Sequence, residues 1–204
     1  MIVTFVSCGW QDVTPVMVRS VRQAMPDSHI VQISDPGTPE VPGVDQVIRY
    51  ERDEPISLFR LHCWARMPFD RWLSLDTDLV VREDLEHVFE NRFDYCFTRR
   101  SGAPKFVAGW EAPHIYNLGV FWARRTELFA EAYEWLKAIP LEQASHVLGD
   151  QSAVCTVGPK YRPRDVPCDV YNWTPSRKEQ RHLAKVIHYK GQRKDWMLRD
   201  YGSN

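Results

Sequence analysis

Residues 72–81 read Trp-Leu-Ser-Leu-Asp-Thr-Asp-Leu-Val-Val, an apolar run interrupted by two carboxylates. Such a run is typical of a buried strand. Residues two apart on an extended chain point the same way, so Asp76 and Asp78 can present both carboxylates to one metal ion. Ligand sites in open α/β sheets lie beyond the carboxyl ends of strands. Two hard oxygens there suit a divalent cation that itself holds a diphosphate.

The Asp-x-Asp tripeptide is common by chance, so the motif alone leaves open a solvated turn at a strand end. Its apolar context favours the metal-binding interpretation of Asp76 and Asp78, because two unpaired carboxylates are costly to bury.

Composition excludes several other kinds of protein. The 204 residues suffice for one sizeable α/β domain with a full core. A net charge of -1 gives no electrostatic case for a nucleic-acid partner. No apolar run approaches the length of a membrane span. We therefore expect no nucleic-acid partner and no membrane span.

The N-terminus and the cysteines indicate a cytoplasmic protein. Residues 1–6 lack a basic region and read as a first strand, not as a signal peptide. The five cysteines are scattered, and none forms a Cys-x-x-Cys pair. Neither a disulfide framework nor a zinc site is indicated, and a reducing cytoplasm is the simplest setting.

The order of predicted elements in the first half alternates between strands and helices. Thr14 is the predicted cap of the first helix, with Pro15 at its first position. The β-α-β-β-α-β order predicts a largely parallel sheet of nucleotide-binding type. The predicted strands are 2–7, 29–33, 46–50 and 71–75, and the predicted helices are 15–25 and 57–66.

The second half continues without a linker or a repeat, which predicts one domain over residues 1–204. Beyond residue 159 we expect an irregular tail, apart from one strand at 185–188. Before it, the pattern predicts helices at 85–89, 126–138 and 149–156, strands at 95–98 and 116–123, and a loop at 101–114.

Separated segments of the chain resemble glycosyltransferase family 8, the glycogenin-like transferases with a GT-A fold. One is Leu-Phe-Arg-Leu-His-Cys-Trp-Ala at 58–65, followed by the Asp-x-Asp strand. Tyr-Asn-Leu-Gly-Val at 116–120 is similar to the family's Phe-Asn-Ser-Gly-Val. Gly-Asp-Gln at 149–151 resembles its Asp-Gln segment. The stretch 188–196 resembles its His-x-x-Gly-x-x-Lys-Pro-Trp motif.

The resemblance implies an α/β domain with a mixed, mostly parallel central sheet flanked by helices. Residues 1–98 would form the nucleotide-binding half, ending in the Asp-x-Asp region, and 99–204 the half for the acceptor and the donor sugar. Family members transfer a hexose from a UDP-sugar with Mn²⁺ (or Mg²⁺) and retain the anomeric configuration. The acceptor is left open among a saccharide, a protein and a small molecule, and so is assembly into a homo-oligomer.

Site residues follow from the resemblance position by position. The metal ligands would be Asp76, Asp78 and His188. The residues that would contact the donor nucleotide and its phosphates are Arg60, Thr77, Gly191 and Lys194. The residues that would face the donor sugar and the reacting centre are Asn117, Asp150 and Gln151. Independently of the resemblance, Val6, Ser7 and Cys8 lie at the end of the first strand, where base and ribose contacts usually occur.

The chemistry of sugar transfer suits these residue types. A sugar leaves a diphosphate through a cation-like transition state while negative charge builds on the leaving oxygens, which a divalent metal stabilises as a Lewis acid. Lys194 adds electrostatic stabilisation. Two carboxylates and an imidazole favour Mn²⁺ over Mg²⁺. Asp150 opposes positive charge at the anomeric centre better than the amide of Gln151 can.

Three departures from the family pattern keep an alternative open. Leu118 replaces a small polar residue, Asp195 replaces the proline before Trp196, and His114 stands where an acidic residue is expected. The alternative is a nucleotide-sugar-binding protein with little or no transfer. A metal-dependent nucleotidyltransferase or phosphohydrolase would also tolerate Asp-x-Asp, but the sequence lacks an obvious glycine-rich phosphate loop or further carboxylates for two metals.

Overall fold

The computed structural model describes residues 1–101, 114–146, 148–177 and 183–202. Within them the strands are β1 (Ile2–Ser7), β2 (His29–Ser34), β3 (Gln46–Arg49), β4 (Trp72–Leu75), β5 (Leu79–Val81), β6 (Tyr95–Arg99), β7 (Tyr116–Ala123), β8 (Arg164–Pro167) and β9 (Val186–His188). The α-helices are α1 (Thr14–Ala24), α2 (Ile56–Ala65), α3 (Glu127–Lys137), α4 (Leu141–Ala144), α5 (Gly149–Val157), α6 (Cys168–Tyr171) and α7 (Lys194–Tyr201). Short 3-10 helices span Glu86–Glu90, Gly158–Tyr161 and Gly191–Arg193.

A seven-stranded sheet has the order β3-β2-β1-β4-β7-β6-β8. The first four strands are parallel, β7 runs antiparallel to both β4 and β6, and β8 is parallel to β6. The predicted mixed, mostly parallel sheet is thus confirmed. A separate antiparallel pair, β5 and β9, lies beyond the end of β4. Because Leu79 pairs with His188 in it, the C-terminal part of the chain reaches the Asp-x-Asp turn.

Two hydrophobic clusters cover the two faces of the sheet. Alternate residues of a strand point to opposite faces, and accordingly Leu73 joins one cluster while Trp72 joins the other. The first cluster holds the buried side chains of α1 and of β5 and β9. The second packs α2, α3 and α5 together, with Trp64 edge-on to Phe121 at 4.9 Å between ring centroids. This packing fixes α2 and α5 side by side at the edge where β1 and β4 end.

Helix α1 begins differently from the prediction. Thr14 is its first residue, the capping position is Val13, and no side chain caps the helix. The predicted Thr14 cap is therefore wrong. Thr14 is buried under the helix, and its hydroxyl oxygen has no hydrogen-bond partner among the described residues. Strand β7, by contrast, coincides with the predicted strand.

The predicted irregular tail is wrong in three places, at β8, α6 and α7. Strand β8 pairs with β6, and its four residues are largely exposed, so it shows no apolar alternation. Helix α7 buries only Met197, so its amphipathic signal is weak. Both β8 and α7 are stabilised by the part of the fold that they pack against, and the hydrophobic pattern of their own residues does not predict them. The predicted loop at 101–114 lies outside the described residues, apart from its two end residues.

In the part of the chain that the structure describes, no helix combines the length and the hydrophobicity that crossing a bilayer requires.

Replacing Thr14 by Val is expected to raise the free energy of unfolding by up to about 1 kcal/mol, because a methyl group needs no hydrogen-bond partner in a buried place. The matched control is Ser20→Ala on the same helix. The Ser20 hydroxyl donates to the Met17 carbonyl at 2.7 Å and accepts from the Val81 amide at 3.0 Å. Its loss should lower the free energy of unfolding by roughly 1–3 kcal/mol. Urea denaturation measures the free energy of unfolding of both variants. If Thr14→Val lost as much stability as Ser20→Ala, the Thr14 hydroxyl could not be unpaired.

Candidate functional site

Two carboxylates and one imidazole converge where β4, β5 and β9 meet. Asp76 follows β4, Asp78 precedes β5, and His188 ends β9. One ligand atom from each lies within 4.8 Å of the others. His188 Nε2 is 2.9 Å from Asp78 Oδ1 and 3.6 Å from Asp76 Oδ2. This donor set and spacing fit a divalent cation of borderline softness, such as Mn²⁺, that draws the three groups inward.

The orientation of the His188 ring is fixed from behind by Asn172, a buried residue. Asn172 Nδ2 faces two oxygens, the Thr98 hydroxyl at 2.8 Å and the Asn117 carbonyl at 3.3 Å. The amide oxygen of Asn172 must therefore face His188 Nδ1, 2.7 Å away, and Nδ1 donates the proton. This leaves Nε2 directed at the two carboxylates, as a metal ligand requires.

Gly119 lets strand β7 approach the cluster closely. A Cβ atom at this position would lie 2.5 Å from His188 Cε1, 2.7 Å from Nδ1 and 3.0 Å from Asp76 Oδ2. The Gly119 carbonyl also accepts a hydrogen bond from the Asp76 amide at 2.8 Å. Only glycine fits between the strand and the cluster, so the backbone of β7 forms the floor of the candidate metal site.

Arg60 neutralises the carboxylates on one side of the cluster. Its Nη2 donates to Asp76 Oδ1 at 2.5 Å, and its Nε lies 3.2 Å from Asp150 Oδ2. Burial raises the pKa of Asp150; Arg60 opposes this rise and the nearby Asp76 charge adds to it. Burial acts to lower the pKa of Arg60, but the charges of Asp76 and Asp150 outweigh it and raise that pKa. Arg60 is therefore a fixed positive charge between two acidic groups.

Lys194 supplies positive charge on the other side, with Nζ 3.6 Å from Asp78 Oδ2. Burial works to raise the pKa of Asp78, but the hydrogen bond and charge of a His188 ring that is protonated on both nitrogens, and the charge of Lys194, lower it to about 2. Gln11, which no sequence pattern selects, links Thr77 to Lys194 beside this carboxylate. Its Oε1 accepts from the Thr77 hydroxyl at 3.1 Å and from Lys194 at 3.4 Å.

A cleft of about 410 Å³ opens in front of these groups. It contains most of the predicted donor-side residues, namely Val6, Arg60, Asp76, Thr77, Asp78, Asp150 and Lys194. Cys8, which the sequence also places at the end of the first strand, lines the cleft, and so do four residues that sequence reasoning did not select, Gln11, Arg52, Ile56 and Ser57. The rule that ligands bind beyond strand ends covers the segment after β3, where Arg52 lies, and would have pointed to it.

Besides His188, which is buried in the cluster, four predicted residues lie away from the cleft surface. Ser7 is buried, and its hydroxyl accepts from Gln32 Nε2 at 3.1 Å. Gly191 starts a 3-10 turn with a φ of 60°, a conformation that favours glycine. Asn117 Oδ1 accepts from the Gly119 amide at 3.2 Å. Gln151 is likewise buried.

The amide of Gln151 is held by two neighbours. Arg100 donates to its Oε1 at 3.3 Å, so its Nε2 faces His114 Nδ1 at 3.2 Å. The other nitrogen of His114 therefore donates to the Ser152 hydroxyl at 2.6 Å, and the ring is neutral. Burial lowers the pKa of His114, and the charge of Arg100 lowers it further. His114, a departure from the family pattern, thus positions a predicted site residue.

A second pocket, of about 240 Å³, lies beyond the wall formed by Asn117 and Asn172. Burial lowers the pKa of Lys190 in this pocket, and the neighbouring charge of Arg100 lowers it further. The lining residues are Arg100, Ser101, Asn117, Cys168, Asp169, Asn172, Trp173, Thr174 and Lys190.

Relatives by sequence are glycogenins. The chain is 28% identical to glycogenin-1 of Oryctolagus cuniculus over 152 residues, which make up 69% of this chain and 42% of the relative. Identity to glycogenin-1 of Homo sapiens is 26% over 152 residues, with 69% of this chain and 40% of the relative covered. The chain therefore spans less than half the length of these curated relatives. No protein-family model matches it.

Solved glycosyltransferases share the fold. The galactosyltransferase LgtC, solved with donor and acceptor sugar analogues, superposes with a TM-score of 0.65 at 16% identity, over 94% of this chain and 88% of that one. The glycosyltransferase GlyE of Streptococcus pneumoniae TIGR4 superposes with a TM-score of 0.69 at 16% identity, over 100% of this chain and 60% of that one. The resemblance to glycosyltransferase family 8 and the GT-A fold expected from the sequence are confirmed.

Replacing Asn172 by Ala is expected to weaken Mn²⁺ binding by about 10- to 100-fold, because the His188 ring loses the acceptor that fixes its proton on Nδ1. Calorimetric titration with Mn²⁺ measures the affinity. Asn91→Ala is the control, since Asn91 bonds only the Val88 carbonyl among the described residues, far from the cluster. Unchanged Mn²⁺ affinity in a folded Asn172→Ala protein would show that the ring needs no such support.

Gly119→Ala should displace the His188 ring, abolish measurable Mn²⁺ binding and lower the free energy of unfolding by about 1–3 kcal/mol, because the added methyl overlaps the imidazole. Gly158→Ala is the matched control, since a Cβ there meets nothing within 4 Å. Titration with Mn²⁺ and urea denaturation test both. Normal metal binding by Gly119→Ala would contradict the close approach.

Proposed function

We propose that this protein is a retaining glycosyltransferase that moves a hexose from a UDP-sugar to an acceptor hydroxyl. The observation that carries the proposal is the Asp76, Asp78 and His188 cluster at the cleft, flanked by Arg60 and Lys194. A diphosphate needs both a cation and fixed positive charges, and the cluster with its flanking cations offers that combination. We assign uridine and a hexose to the donor because the chain resembles glycogenins. Mn²⁺ is the cation that the donor set favours.

The distribution of lining residues supports a division of labour between the two halves of the chain. Apart from Asp150 and Lys194, the described residues that line the 410 Å³ cleft come from 1–98. The residues that line the second pocket all come from 99–204. We assign the nucleotide to the first half, and the acceptor and the transferred sugar to the second.

The reaction breaks the bond between the sugar C1 atom and the diphosphate oxygen, forms a bond from the acceptor oxygen to C1, and passes the proton of the acceptor hydroxyl to the departing diphosphate. The cation, when bound, supplies Lewis-acid stabilisation of the departing diphosphate. Lys194 and Arg60 add positive charge beside it. Asp150 provides the negative charge that a cation-like anomeric centre needs, and Arg60 holds its carboxylate in place. The Gln151 and Asn117 amides are fixed by their own hydrogen bonds, so they meet the sugar pre-oriented.

The departures from the family pattern do not favour a binding protein without transfer. Leu118 is buried in the second hydrophobic cluster, and His114 holds Gln151. Asp195 is exposed in the first turn of α7. None of these three residues therefore changes the lining of the cleft.

We place the protein in the cytoplasm. All five cysteines are free thiols. A reducing compartment keeps thiols in this state.

Asp78→Asn should lower the affinity for UDP in the presence of Mn²⁺ by at least about 100-fold and abolish UDP release from UDP-sugars, because an amide is a poorer ligand than a carboxylate. Calorimetry with UDP, with and without Mn²⁺, measures binding. A scan of UDP-glucose, UDP-galactose and UDP-N-acetylglucosamine measures donor cleavage. Asp165→Asn, a surface carboxylate paired with Arg99, is the control.

Mn²⁺-independent UDP binding, or full donor cleavage by Asp78→Asn, would refute the metal role. Metal-dependent UDP binding without cleavage of any donor across an acceptor panel would instead favour the nucleotide-sugar-binding protein. Release of UMP would point to a phosphohydrolase or nucleotidyltransferase.

A further inference from the structure

The second pocket lies against the metal cluster but is separate from the cleft. Among the described residues, the two cavities share no lining residue. The wall of the pocket contains Asn117 and Asn172, and Asn172 holds His188 from behind. A molecule in this pocket would therefore lie close to the sugar end of a donor bound in the cleft, without competing for the nucleotide position.

Two positive side chains line this pocket, and neither forms an ion pair within the described part of the chain, although Asp76 and Asp78 act on Lys190 at longer range. Arg100 donates to neutral acceptors, the Tyr116 carbonyl and Gln151 Oε1, both at 3.3 Å. Lys190 forms no ion pair with any described residue, although much of its side chain is enclosed. The two like charges repel each other across the pocket, and an anion between them relieves that repulsion.

The remaining lining suits a sugar. The Asp169 carboxylate accepts from the Ser101 hydroxyl at 2.8 Å at the exposed rim, where it can also accept from a sugar hydroxyl. Trp173 adds an aromatic side chain, whose surface suits the apolar face of a pyranose ring. A small concave site with a few convergent polar groups and one aromatic ring is typical of small-molecule binding.

We propose that this pocket binds a sugar that carries a carboxylate or phosphate group, with Lys190 and Arg100 contacting the anion. The proposal rests on the proposed function, because it assigns the pocket to a reactant of the transfer. Charge-assisted hydrogen bonds to an anion are roughly twice as strong as neutral ones, so the two cations would select a uronic acid or a sugar phosphate over a neutral hexose. The anion belongs either to the acceptor or to the transferred sugar.

Lys190 is the residue to vary, because Arg100 also holds Gln151. Glucuronate, glucose 6-phosphate and glucose are titrated calorimetrically into the full chain, with Mn²⁺ and UDP filling the cleft and again without them. In the wild-type protein both anionic sugars should bind about 10-fold more tightly than glucose. Lys190→Gln should remove most of this preference, and Lys190→Arg should keep it. Lys160→Gln, an exposed lysine paired with Glu131, is the control and should match the wild type.

A second titration compares UDP-glucuronate with UDP-glucose in the presence of Mn²⁺. A preference that depends on Lys190 among the free sugars places the anion on the acceptor. A preference that depends on Lys190 only among the UDP-sugars places it on the transferred sugar. Absence of both preferences, or the same preferences in a folded Lys190→Gln protein, would overturn the proposal.

Failure of the proposed function gives a different result. UDP would then bind no better with Mn²⁺ than without it, whereas the free-sugar titrations without UDP and metal would still report on the pocket. Thermal unfolding of Lys190→Gln is the folding control. If this variant unfolds at the same temperature as the wild-type protein, any loss of preference comes from the lost charge and not from a change in the fold.

Discussion

The Arg60 guanidinium is the charge on which the arrangement of the site depends. It lies between Asp76 and Asp150 and so ties helix α2 to the end of β4 and to the start of α5. Two carboxylates enclosed this close together would otherwise repel each other or take up protons. Packing of α2 against α5 in the second hydrophobic cluster holds Arg60 in reach of both. The core thus determines where the charges lie, and Arg60 opposes the rise that burial causes in the pKa of Asp150.

The metal cluster is fixed from the opposite side by backbone rather than by charge. Strand β7 passes so close to His188 and Asp76 that only glycine fits at position 119. Behind the ring, Asn172 sets which nitrogen carries the proton. A small displacement of β7 or of the segment around Asn172 would therefore change the metal ligands directly. Close packing of the sheet against the cluster therefore fixes the positions of the metal ligands.

Beside this cluster, a wall of side chains separates the cleft from the second pocket. The cleft takes its lining mainly from residues before 99, while the second pocket takes its lining from residues after 99. Between them stand Asn117 and Asn172, whose amide oxygens accept internal hydrogen bonds. Amides whose orientation is fixed in this way can border two ligands without turning toward either. Sugar transfer needs such a boundary, at which two reactants meet while the rest of each remains apart.

The sequence determined the elements whose pattern is local. The alternation of strands and helices, the apolar strand before Asp76 and the two-residue spacing to Asp78 all follow from the period of an extended chain. His188, Lys194 and Asp150 were found through the resemblance, because no local pattern distinguishes a ligand histidine from a structural one. Only the tertiary structure decided the roles of Gln11, Asn172 and His114, and the positions of β8 and α7. Their partners lie far away in the chain, and a polar residue acquires its function from the group that folding places within hydrogen-bond distance.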